Sequence, residues 1–89
     1  MMYQVQYTKK SISELKKLPK ETAKRILDKI QFFTEQLEPL SFAKSLKNPV
    51  YGMYRFRIGD YRVIFDMNEE GELIILYVLS VKHRKDVYK

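Results

Sequence analysis

With 89 residues the chain has room for one small domain, near the size at which a single core is only just sufficient. Its 45% hydrophobic and 31% charged residues exclude a disordered segment, and the absence of cysteine excludes a disulfide framework and a thiolate metal site. The net charge of +6 points to a polyanionic partner, nucleic acid or an acidic protein.

Residues 3–8 alternate, Tyr3, Val5 and Tyr7 against Gln4, Gln6 and Thr8, and predict a half-buried strand. Ser11-Ile12-Ser13-Glu14 has the spacing of a capping box; it opens, or lies just inside, a short helix with Ile12, Leu15 and Leu18 on one face. Pro19 ends that helix and stands at the entrance to the next. From residue 20 to about residue 37, Ala23, Ile26, Leu27, Ile30, Phe33 and Leu37 recur at helical spacing, which completes an αα-hairpin. Phe32 lies off that stripe. Lys16, Lys17, Lys20, Lys24 and Lys29 alternate with Glu14, Glu21 and Asp28 and read as solvated faces. An irregular connection is expected from Glu38 to about Val50, with Leu46 as its buried anchor.

The stretch Tyr54-Arg55-Phe56-Arg57-Ile58-Gly59-Asp60-Tyr61-Arg62-Val63-Ile64-Phe65 is the most informative in the chain. Two alternating runs around Gly-Asp predict a β-hairpin with a two-residue loop, because glycine supplies the positive φ such turns need. In that register Ile58 faces Tyr61, Phe56 faces Val63 and Tyr54 faces Phe65. The opposite side carries Arg55, Arg57, Arg62 and Ile64, with Arg57 directly across from Arg62. Like charges across a ladder repel. A solvated basic face explains single arginines, but a facing pair with a third beside it points to a bound anion.

A polar turn at Asn68-Glu69-Glu70-Gly71 leads to residues 73–79, apolar on both faces and therefore a central strand. If the last three strands form a meander, the N-terminal strand takes the free side of the fourth. The expected fold is α+β: an N-terminal strand, a helical hairpin, then a three-stranded antiparallel meander, in one four-stranded sheet and one domain over residues 1–89. The helices cover one face; the other carries the arginines and leaves part of its apolar area for a partner.

The tail Ser80-Val81-Lys82-His83-Arg84-Lys85-Asp86-Val87-Tyr88-Lys89 carries the only histidine and can fold back beside the arginines. Arginines with a nearby histidine and tyrosine suit cleavage of RNA by attack of a ribose 2′-OH on its own phosphodiester. That reaction needs a proton acceptor, a proton donor and positive charge for the phosphorane. Arginine cannot be the base, since it does not deprotonate in proteins; it holds phosphate by bidentate contacts. His83 could exchange protons near neutral pH, and Tyr88 could donate one or stack on a base. The plainer readings are an exposed histidine and a tyrosine that pins a terminus. No carboxylate pair, phosphate loop, nucleophile elbow or metal-ligand spacing is present, so no cofactor and no metal are expected. No stretch resembles a membrane span or a signal h-region, which makes a cytoplasmic location the expectation.

These features together resemble the RelE/ParE superfamily of bacterial and archaeal toxins. The resemblance rests on the element order, Lys16-Lys17-Leu18-Pro19-Lys20 between the helices, the hairpin from Tyr54 to Ile64, and the closing His83-Arg84-Lys85-Asp86-Val87-Tyr88. It covers nearly the whole chain. It implies a RelE-like fold and a ribosome-dependent mRNA endonuclease that cuts the codon in the A site, silenced by a cognate acidic antitoxin encoded adjacently. It places site roles on Arg55, Arg57, Arg62, Arg84 and Tyr88; with His83 added from the chemistry of the tail these are the expected catalytic residues, and Arg55, Arg57, Lys82 and Lys85 are the expected RNA contacts. In the best-studied member the two second-strand positions are lysines, one of them assigned as base. Here both are arginine, so proton transfer falls to His83, Tyr88, Lys82 or the ribosome. The shorter tail leaves Lys82 and His83 as alternatives for a further basic position. The rival implied by the same superfamily is a ParE-like inhibitor that binds DNA gyrase without chemistry; a degenerate toxin that only binds an antitoxin is a third reading.

Overall fold

The structure is a computed structural model that describes residues 2–46 and 52–85. Strand β1 (Met2–Tyr7) leads into helices α1 (Lys9–Lys16) and α2 (Lys20–Thr34). A short 3₁₀ turn (Pro39–Phe42) and strand β2 (Ala43–Ser45) precede β3 (Tyr54–Ile58), β4 (Tyr61–Glu70) and β5 (Leu73–His83). The strands form one sheet in the order β1-β5-β4-β3-β2. β1 runs parallel to β5 and the other pairs are antiparallel, so β5 is interior, as its two-sided apolarity requires. The sheet has five strands, not four. The extra one, β2, lies inside the segment expected to be irregular: three residues, Ala-Lys-Ser, carry no alternation or β-branching to announce a strand.

Thr8 caps α1, so the Ser11–Glu14 stretch lies just inside the helix, the second of its two expected placements. The Thr8 Oγ1 accepts from the Ser11 amide at 3.1 Å, and Ser11, fully buried inside the helix, donates its hydroxyl to the Thr8 carbonyl. Pro19 stands between the helices as expected. α2 stops at Thr34, so Leu37 lies beyond it and is 97% exposed rather than part of the buried stripe. Glu38, the residue before Pro39, has non-helical backbone (φ −130°, ψ 82°), so the helix cannot resume there, and Pro39 is itself buried. Leu46 is only half-buried; its amide bonds the Met53 carbonyl, and the expected end of this connection at Val50 lies outside the described residues. The polar turn falls later than expected, at Gly71-Glu72, because β4 continues through Glu70.

Leu15 from α1 and Ile26, Ile30 and Phe33 from α2 pack on Phe56, Ile58, Val63, Phe65, Ile74, Leu76, Val78 and Val81 of the sheet. Phe56 sits at the centre, 4.4 Å from the Phe65 ring and 4.8 Å from that of Phe33. Each fully buried side chain of this size contributes about 1.5–3 kcal/mol relative to exposure, and there is no covalent staple to assist. The hairpin has the expected register, with Ile58↔Tyr61, Phe56↔Val63 and Tyr54↔Phe65 on the helix-covered side. Gly59 takes φ +58° as the first residue of its turn, and no described non-glycine residue has positive φ, which is the pattern of a type II′ turn.

Candidate nucleic-acid interface

Which side chains reach the open face is decided by strand register. Residues directly opposite in an antiparallel ladder project to the same side. Arg57 pairs with Arg62, and Arg62 with Lys82, so these three cations form a row across β3, β4 and β5. A second row runs from Lys44 on β2 to Arg55, Ile64 and Ser80. Adjacent strands lie ~4.8 Å apart, so the basic strip extends about 14 Å across the sheet. Arg57 is exposed and Arg55 half-buried; the Nη1 of Arg55 is buried with no hydrogen-bond partner among the described residues. The expected apolar area on this face is largely covered already. Ile64 and Ile75 are 3% and 4% exposed, and a Cβ built on Gly52 (φ +139°) would come within 2.5 Å of Ile64.

Lys82 reaches this face only because β5 bulges. Ile64 pairs with Ser80 but Phe65 pairs with Val78, so Leu79 is an extra residue on β5. Alternation up to that point puts even-numbered residues toward the helices; one inserted residue reverses the assignment beyond it. Val81 therefore enters the core and Lys82 joins the arginine row. The Thr8 amide and hydroxyl hold the bulge, donating to the Val78 and Leu79 carbonyls at 3.0 and 3.1 Å.

Beyond the end of β1 the free edge of β5 is covered by Glu14. Its carboxylate accepts from the Val81 amide and the Ser80 hydroxyl, each at 3.1 Å, and pairs with Lys82 Nζ at 3.1 Å. An edge amide buried without an acceptor costs about 1–3 kcal/mol, which this bond avoids. Glu14 thus fixes the direction of Lys82 and is not the solvated helix residue its spacing suggests. Nothing local announces the role, since its partners lie 66–68 residues away.

His83 falls on the opposite side. It pairs with Tyr61, their rings meet edge to face at 5.3 Å, and its Nδ1 accepts the Lys85 amide at 3.2 Å. The expectation that His83 stands beside the arginines is corrected by the bulge. Arg84 closes on the hairpin turn, its amide donating to the Asp60 carbonyl at 2.7 Å and its Nε lying 3.8 Å from Asp60 Oδ1. Lys85 is exposed next to it, and Tyr88 lies outside the described residues. Phe42 and Lys44 were not singled out by the sequence because β2 was not. Together with Arg55 and Arg57 they line a cavity of about 130 Å³.

A groove of about 530 Å³ is on the far side between α1 and α2. It is mostly apolar, with Ile12 and Leu27 exposed and Lys16, Lys20 and Lys24 on its rim. No helix among the described residues is long and apolar enough to cross a membrane.

The sequence matches, over residues 5–88, the family described as ParE toxin of type II toxin-antitoxin system, parDE. The chain belongs to the RelE/ParE superfamily of type II toxins. Toxin RelG of Mycobacterium tuberculosis is 29% identical over 89 residues, covering all of this chain and 99% of that protein. The toxin–antitoxin complex RelBE2 of Mycobacterium tuberculosis contains a chain with TM-score 0.70 and 26% identity, over 94% of this toxin and 100% of that chain. The archaeal RelE–RelB complex of Pyrococcus horikoshii contains one with TM-score 0.66 and 31% identity, over 94% of this toxin and 97% of that chain. The toxin therefore shares a RelE-like α+β architecture.

Proposed function

We propose that this toxin is a ribosome-dependent mRNA endoribonuclease that cleaves the codon in the A site. The observation that carries the reading is the in-register row Arg57–Arg62–Lys82, flanked by Arg55 and Lys44. A face built only to be soluble has no reason to align like charges across three strands.

In this mechanism Arg55 and Arg57 hold the phosphates of the strand, and Arg62 lies under the scissile one. The ribose 2′-oxygen attacks phosphorus, the bond to the 5′-oxygen breaks, and the products are a 2′,3′-cyclic phosphate and a 5′-hydroxyl. The arginines stabilise the phosphorane electrostatically and transfer no proton. Lys82 is the proton-bearing group of the row. Directed by Glu14, its ammonium donates to the leaving 5′-oxygen. The proton of the 2′-OH goes to Tyr88 or to the ribosome, since His83 is on the other side of the sheet.

Inhibition by an acidic antitoxin encoded next door follows from the same charge distribution. The relatives of known structure are toxin–antitoxin complexes. The groove between the helices, with its lysine rim, suits an acidic amphipathic helix, and the basic row suits its extension.

Primer extension on translating ribosomes tests the assignment: purified toxin should give breaks at the A-site codon, lost when the antitoxin is added. The ParE family match supports a second reading, inhibition of DNA gyrase by binding. Growth arrest with intact mRNA and blocked supercoiling would establish that reading instead.

A further inference from the structure

Phe42 is the last residue of the 3₁₀ turn and immediately precedes Ala43, the first paired residue of β2, which places it at the outer edge of the sheet. It is 43% exposed, yet its ring is stacked on Phe33 at 4.7 Å and 21° and meets Phe32 at 6.3 Å. The neighbouring exposed ring, Phe32, has Lys29 Nζ over it at 5.1 Å. Phe42 has instead the cavity it shares with Lys44, Arg55 and Arg57, and Arg55 Nη1 has no acceptor among the described residues. A rigid aromatic ring backed by the core, beside guanidinium groups with donors to spare, is the combination that single-stranded nucleic-acid sites use: a π-face for a base and cations for its phosphates.

We infer that Phe42 is a nucleobase-stacking residue that positions the strand at the β2 end of the basic row. The inference rests on the RNA-cleaving reading above. Phe42 borders β2, which is separated from the Arg62 strand by β3, so the stacked base belongs to a nucleotide neighbouring the one that is cut. Its phosphate lies between Lys44 and Arg55. The contact adds affinity and sets the register of the strand without reading sequence, because every base has a π-face.

The test titrates wild type, Phe42→Leu and Phe42→Tyr with short single-stranded RNAs carrying 2-aminopurine at successive positions, at low salt. Wild type should quench emission strongly at one position. Phe42→Leu keeps an apolar side chain against Phe33 but loses the π-face; it should abolish that quenching and weaken binding about 5- to 150-fold. Its slope of log K against log salt should equal that of wild type, since no phosphate contact is removed. Phe42→Tyr should restore both signals. Equal affinity of Phe42→Leu and wild type, or no position-specific quenching despite salt-dependent binding, overturns the stacking role and leaves the basic face as an RNA site; the ring then serves Phe33 or a protein partner. No salt-dependent RNA binding by wild type, free or on ribosomes, overturns both readings.

Discussion

The two faces of the β-sheet differ in what their side chains are paired with. On the helix-covered face each large side chain has its partners inside the chain: Phe56 lies among Phe33, Phe65 and Val63 with none of its surface exposed. On the open face like charges stand side by side, and one guanidinium nitrogen of Arg55 is buried without an acceptor among the described residues. The first arrangement is complete without a ligand and supplies the stability. The second has a local electrostatic cost that a polyanion would offset. Stability and activity are therefore expected to respond to different substitutions, although the two sets of residues alternate along the same strands.

The largest effect should come from the covered face. Phe56→Ala is expected to cost about 3–5 kcal/mol, a large share of the ~5–15 kcal/mol typical of a domain. Urea denaturation should show it, and activity per folded molecule should stay near wild type. A loss of cleavage with unchanged stability would break the division between the faces.

Lys82→Met should do the reverse. If Lys82 is the proposed proton donor, removing it should lower A-site cleavage about 10²–10⁴-fold in primer-extension time courses. The melting temperature should change little, because Glu14 keeps its bonds to Ser80 and Val81. Retained growth arrest with this variant would favour the gyrase reading.

Arg57→Ala probes the charge row itself. Ribosome binding should lose roughly 0.7–0.9 from its log–log salt slope, one phosphate contact, while stability is unchanged or slightly raised as the Arg57–Arg62 repulsion is relieved. A destabilisation well above ~1 kcal/mol with an unchanged slope would make Arg57 structural.

The smallest effect is expected at His83, which shares β5 with Lys82 but faces the other way. His83→Gln should leave the cleavage rate and the acidic limb of its pH profile in place. A loss of about 10²-fold or more would return His83 to the chemistry, as reading the tail without the bulge suggests.

Much of this division is written in local sequence. The Gly59-Asp60 turn and the alternation on either side fix the hairpin register, and with it the facing of Arg57 and Arg62. The apolar run at residues 73–79 marks β5 as interior, and the helical spacing of Ile26, Ile30 and Phe33 marks the covering face. These signals have periods of two or 3.6 residues and need no distant partner.

Three features were decided only by tertiary structure. β2 is too short to carry a pattern and exists because Lys44 and its neighbours pair with β3. Glu14 becomes part of the site because β1 ends before β5 does, leaving an amide that only a distant carboxylate could satisfy. Leu79 bulges where Thr8 grips the strand, and that single extra residue sends Lys82 to the basic row and His83 away from it. By itself, then, the sequence determined the hairpin, the two helices and the arginine face. The exchange of Lys82 for His83 was left to packing, because a one-residue shift in a strand changes sides without changing any local preference.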